Sequence, residues 1–149
     1  MAKEMHSTTR YANSLTQLVR TSDANGATVD RKGFEHVEVI WTFGAEGDTL
    51  AANLYMELEL EHSDDDSTWA DCADTDIIGE STETTTNTGT CALLNAVGDA
   101  AGIIYRCAYT GTKRYIRPVY NVTGSHSSGT SSACIVALSG ALNKPVANP

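Results

Sequence analysis

The stretch Glu61-His62-Ser63-Asp64-Asp65-Asp66-Ser67-Thr68-Trp69 sets three consecutive carboxylates between a histidine and a tryptophan. Such a run could hold a divalent ion, supply an acid and a base, or form the polar tip of a β-hairpin. A calcium loop of the EF-hand type needs alternating oxygen ligands, a turn glycine and a closing glutamate. The run from Asp64 to Asp76 is rich in oxygen ligands but lacks that spacing. Adjacent aspartates on a strand point to opposite faces and seldom converge for acid–base work. A hairpin fits better. The strand ends at His62, serine and aspartate bond their own backbone in the turn, and the return strand brings Trp69 toward the core.

Other reactive side chains are equally unpromising as a catalytic set. Ser125, His126, Ser127 and Ser128 stand together, but a nucleophile elbow needs G-x-S-x-G between a strand and a helix. Gly124 and Gly129 instead bracket a polar connection. Cys72, Cys91, Cys107 and Cys134 show no C-x-x-C spacing, and His6, His36, His62 and His126 do not complete a zinc pattern. For a protein folding in a reducing cytoplasm, buried thiols are the expectation for all four. The acceptor motif at Asn121 carries no weight in a chain read as having no secretory signal. No catalytic, cofactor-binding or metal-ligating residue is expected.

Lys113, Arg114 and Arg117 alternate with Tyr115 and Tyr120, a mixture that single-stranded nucleic acid can use. Three cations are too few against a net charge of −9, so a contact with an acidic protein surface is the better use of them. The distribution of charge sharpens this. Residues 33–105 hold no Lys or Arg and 16 Asp and Glu, whereas residues 106–149 hold five basic residues and no acidic one. Either the two segments pair within the fold, or they form complementary patches between subunits.

The elements that must position these residues have a period of two. Val37, Val39, Trp41 and Phe43 share one face of a strand, and Leu54, Met56, Leu58 and Leu60 share one face of another. Glu57, Glu59 and Glu61 alternate with them and are expected to face solvent, opposite neutral or basic neighbours. Ile103, Tyr105, Cys107 and Tyr109 predict a further inward face. The apolar run "ACIVAL" suits a central strand, and Pro118 predicts an edge or a bulge for "KRYIRPVYNV". Polar turns separate about eight such segments, which predicts an all-β, antiparallel β-sandwich or jelly-roll-like domain. Its bounds are read as residues 15–142, with an N-terminal arm over 1–14 and an extended tail over 143–149. Hydrophobic content of 41% in 149 residues supports one packed domain, and no apolar run approaches a membrane span.

Three blocks in order complete the reading: "RKGFEHVEVIWTFG", "LELEHSDDDSTWADC…DIIG" and "YTGTKRYIRPVYNVTGSHSSGTSSACIVALSGALNKP". Together they resemble small proteins encoded among the head genes of tailed bacteriophages. There a "GF" strand, a "hSDDGs-x-W/Y" hairpin, a "GxKRYxR" strand and a "TGxHxxGTxxA" hairpin follow one another. Asp66 replaces the usual turn glycine, and aspartate tolerates the left-handed conformation better than most residues. The resemblance implies a capsid decoration (cement) protein bound to the major capsid protein on the outside of the head. It implies a β-sandwich acting as a homodimer or homotrimer on the virion, assembled in the bacterial cytoplasm without cofactor, nucleic acid or membrane. Lys113, Arg114 and Arg117, with Arg10 and Tyr11 on the arm, are the candidate contact residues. The competing expectation is a carbohydrate-binding or adhesion module of a head fibre or tail, using Trp69, Tyr109, Tyr115 and Tyr120, or another head–tail component.

Overall fold

The computed structural model describes residues 4–79 and 87–147. Residues 1–3 of the expected arm, 148–149 of the tail and 80–86 of the polar segment after Gly79 lie outside the described part. In chain order the strands are β1 (Arg10–Arg20), β2 (Ala24–Asn25), β3 (Val29–Asp30), β4 (Phe34–Glu46), β5 (Tyr55–Ser63) and β6 (Ala70–Asp71). After a short 3-10 turn at Asp74–Asp76 come β7 (Ile77–Gly79), β8 (Thr90–Leu94), β9 (Ile104–Tyr109), β10 (Tyr115–Thr123) and β11 (Thr130–Ala141). One sheet has the order β1-β11-β4-β9-β7. The other has the order β2-β10-β5-β6, with β3 also on β10 and β8 also on β5. All these pairings are antiparallel.

The chain is an all-β sandwich, as the alternation predicts. Val39, Trp41, Met56, Leu58, Leu60, Val136 and Leu138 are fully buried between the sheets. The apolar run of β11 lies centrally between β1 and β4. Strands β2, β3 and β6 are two residues each, too short for periodicity to reveal. Among the described residues no helix is long and apolar enough to cross a membrane.

Several expectations are corrected. The arm is shorter than 1–14, because β1 starts at Arg10 and pairs with β11 from there. Residues 10–14 look polar because the inward positions carry only the small Ala12 and Ser14, and Ser14 donates its hydroxyl to the Ala27 carbonyl. The tail is tied back, its Val146 amide donating to the Ser7 carbonyl. Strand β10 is central, flanked by β5 and by β2 and β3. Pro118 is tolerated because its carbonyl, and so its nitrogen, faces the break between β2 and β3, where Gly26 donates to the carbonyl. Trp69 is half-buried outside the core, which uses Trp41, and Ile103 is 39% exposed.

The cysteine expectation also fails in part. Cys91 on β8 and Cys107 on β9 form a disulfide with a Cα–Cα separation of 5.8 Å, while Cys72 and Cys134 are buried thiols. The two bonded strands belong to different sheets, so no linear spacing could announce the pair.

Candidate functional site

The acidic stretch folds as the hairpin turn after β5. Ser63 Oγ accepts the amides of Asp65 and Asp66, and Asp65 accepts those of Ser67 and Thr68 at 2.9 and 2.7 Å. These donors hold the Asp65 carboxyl far below the usual carboxylate range. Asp66 occupies the glycine position with φ of 60°. Asp64 turns away to pair with Lys113. The three carboxylates therefore have separate tasks in the turn.

The cationic residues meet carboxylates of their own chain. Antiparallel pairing sets Arg117 opposite Glu61, and their side chains form an ion pair with Arg117 lying 4.5 Å from the Trp69 ring centroid. Arg114 binds both oxygens of Asp30 through Nε and Nη2 at 3.0 and 2.6 Å, and lies over Tyr115. Asp30 also joins Arg10 to this group, because its carbonyl accepts from Arg10 Nη2 at 2.9 Å. Arg10 stacks on Phe34 and, with Lys32, lines a cleft of about 290 Å³ beneath Pro145. Tyr11 is 49% exposed and stands apart, on the outer surface of the five-stranded sheet. Of the two readings of the partitioned charge, pairing within the fold accounts for Lys113 and Arg117, whose partners Asp64 and Glu61 lie in the acidic segment, while Arg114 pairs with Asp30 outside it.

Two polar groups have surroundings that the sequence does not reveal. Glu57 and Glu59 alternate onto the outer face, where solvent is expected, yet they are 3% and 5% exposed. Asn87 Nδ2 bridges them at 2.7 and 3.1 Å, Thr90 donates to Glu57, and Asn121 donates to Glu59. Burial first, and then the neighbouring Glu57, push the Glu59 carboxyl up to about 7. Their neighbours on β10 are neutral or basic, as expected, but across Glu61 on β6 stands the acidic Asp71.

The second group joins the β4–β5 loop to the β10–β11 connection. Asp48 accepts the amides of Ser127, Ser128 and Gly129 and the hydroxyl of Ser127. Those donors, the Ser128 amide foremost, hold its carboxyl down at about 2. His126 is buried beside it, with Nδ1 3.6 Å from Asp48 Oδ2 and Nε2 aimed at the carbonyls of Thr123 and Tyr55. Because carbonyls only accept, Nε2 carries a hydrogen. The Ser-His-Ser cluster is thus a brace between loops. Its only sequence signal is polar residues bracketed by glycines.

The four aromatics considered for sugar binding do not form one exposed platform. Tyr109 and Tyr120 are 3% and 0% exposed, Trp69 is covered by Arg117, and Tyr115 by Arg114.

No protein-family model matches the chain. No curated protein sequence matches it. Among solved structures 14 chains match. One is the crystal structure of the SPBc2 prophage-derived protein YomS, at 12% identity and a TM-score of 0.44, covering 88% of this chain and 95% of that one.

Proposed function

We propose that the chain is a non-enzymatic structural protein of a tailed-bacteriophage virion. In this reading it is a decoration protein that binds the outer surface of the major capsid protein shell, as a homo-oligomer, and stabilises the head. The observation that carries the reading is the ordered series of sequence motifs over residues 31–145, each of which corresponds to a formed element. The "SDDD" turn closes with Asp66 in the left-handed conformation that the series normally gives to glycine. The "TGSHSSGTSSA" segment is the braced connection into β11.

A cement protein acts by mass action: whatever binds the closed shell and not its separated parts raises the free energy needed to open it. Modest contacts repeated over many copies then add through multivalency. The inter-sheet disulfide supports a working life in an oxidising medium, as on a released particle. The test is co-sedimentation of the purified protein with head shells from which it has been stripped. Saturable binding at a fixed ratio to the major capsid protein, with a raised shell melting temperature, is expected. Shells that neither bind it nor melt higher overturn the reading.

A further inference from the structure

We propose that the outer face of the five-stranded sheet is a self-association surface, on which a second copy of this chain packs face to face about a two-fold axis. Backbone register lays this face out in ladder rows. One row runs Tyr11, Ala137, Glu38, Ala108 and Ile78 across all five strands. The next runs Asn13, Ile135, Ile40 and Arg106, and a third holds Ala133, Thr42 and Ile104. The residues between them along the strands, such as Val39, Trp41 and Val136, point inward and are fully buried. Alternation in a two-layer sandwich ordinarily makes the outer positions polar. Here they are largely alanine and isoleucine, with Ile78 66%, Ile104 56% and Tyr11 49% exposed. Large exposed apolar faces of this kind mark contact surfaces.

Charge selects the occupant. Across the three rows the charged side chains are Glu38 and Arg106, and they already touch at 3.1 Å. The face is neutral on a chain of net charge −9, while the other sheet carries Glu57, Glu59, Glu61 and Asp71 at its outward positions. Two copies of net charge −9 repel overall, and they do so least where a neutral face meets a neutral face. On this face a two-fold axis sets each Arg106 against the other copy's Glu38, so the surface is its own complement.

Shape agrees. Small alanines keep the face flat, which suits sheet-on-sheet packing at about 10 Å. Strands β1, β11 and β4 are 11, 12 and 13 residues long and β9 and β7 are 6 and 3, so the face covers roughly 700 Å² at about 3.3 Å per residue and 4.8 Å between strands. That is close to the ~800 Å² per partner of a standard stable interface. The inference depends on the virion reading only for the use to which the dimer is put.

Sedimentation equilibrium of the full chain without shells, at micromolar concentration, tests it. The expected mass is twice 15.9 kDa. Ile40→Lys is expected to give a monomer with an unchanged circular dichroism spectrum; should that variant misfold, Ala133→Lys takes its place. Glu38→Arg is expected to weaken association by about tenfold or more, and Glu38→Arg combined with Arg106→Glu to restore it. A monomeric or trimeric wild type, or a folded Ile40→Lys or Ala133→Lys variant that stays dimeric, overturns the proposal. A dimer that fails to bind shells sinks the cement reading alone, and a monomer that binds them sinks this one alone.

Discussion

Asp48 and Gly129, separated by 81 residues, are joined by an amide-to-carboxylate hydrogen bond of 2.6 Å that fastens the β4–β5 loop to the start of β11. Gly129 has φ of 67°, and a Cβ there would lie 2.5 Å from the Arg20 carbonyl oxygen, so only glycine lets the three strands meet. The Asp48 carboxyl titrates below its ordinary value of about 3.9. The stability it contributes is therefore complete above that value and lost as the pH falls through about 2. Thermal melts between pH 5 and pH 2 should show a steeper fall for the wild type than for Asp48→Asn, which should melt several degrees lower at pH 5. Parallel curves would mean that the brace is held by the backbone without its charge.

Glu59 behaves in the opposite sense. Its folded carboxyl is raised to about 7 by burial beside Glu57, while the unfolded chain ionises near roughly 4.3. The group does no harm below the unfolded value, and its ionisation removes stability as the pH rises from there to about 7. Glu59→Gln mimics the protonated acid. It should flatten the pH dependence over that window and raise stability at pH 8 by on the order of 2 kcal/mol. Denaturant titrations at pH 5 and pH 8 read the difference, and an unchanged slope in the variant would refute the assignment.

Arg117 links two residues that flank the acidic turn. It pairs with Glu61 and lies over the Trp69 ring, and both members of the ion pair are about one-fifth exposed. Arg117→Ala should cost about 1 kcal/mol, since a partly screened pair and one cation–π contact each contribute modestly. The same variant should red-shift Trp69 fluorescence, while Trp41, fully buried, keeps its emission. Stability lost with an unshifted spectrum would place the energy in the Glu61 pair alone.

How much of this was written in the linear pattern depends on how local the cause is. Val37 to Phe43 and Met56 to Leu60 declare their inner face because each side chain's direction follows from its parity in the strand. The turn at Asp66 was legible for the same reason, its partners Ser63 and Asp65 being within three residues. Parity also marked Glu57 and Glu59 as outward, correctly. What parity cannot say is that Asn87, about thirty residues on, lies over them and shuts out water. Pro118 misled because the strand beside it is broken into β2 and β3, a property of another segment. The closeness of Lys113, Arg114 and Arg117 was legible, but their carboxylate partners, up to 84 residues away, were set by sheet register.

The Cys91–Cys107 bridge is the covalent form of that same non-local information, and it carries the last prediction. It joins β8 in one sheet to β9 in the other across 16 residues of chain, with both cysteines 2% exposed in the core. Closing a loop of that length restricts the unfolded ensemble by about 3 kcal/mol. The double variant Cys91→Ser, Cys107→Ser should therefore lose about that much, and somewhat more through the buried hydroxyls it introduces. Alkylation of air-purified protein in denaturant without reductant should label Cys72 and Cys134 only, and prior reduction should raise the count to four. Labelling of all four without reductant would mean that packing alone holds β8 against β9. Stability should then be indifferent to added thiol, whereas a closed bridge makes the wild type weaken toward the double variant when thiol is present.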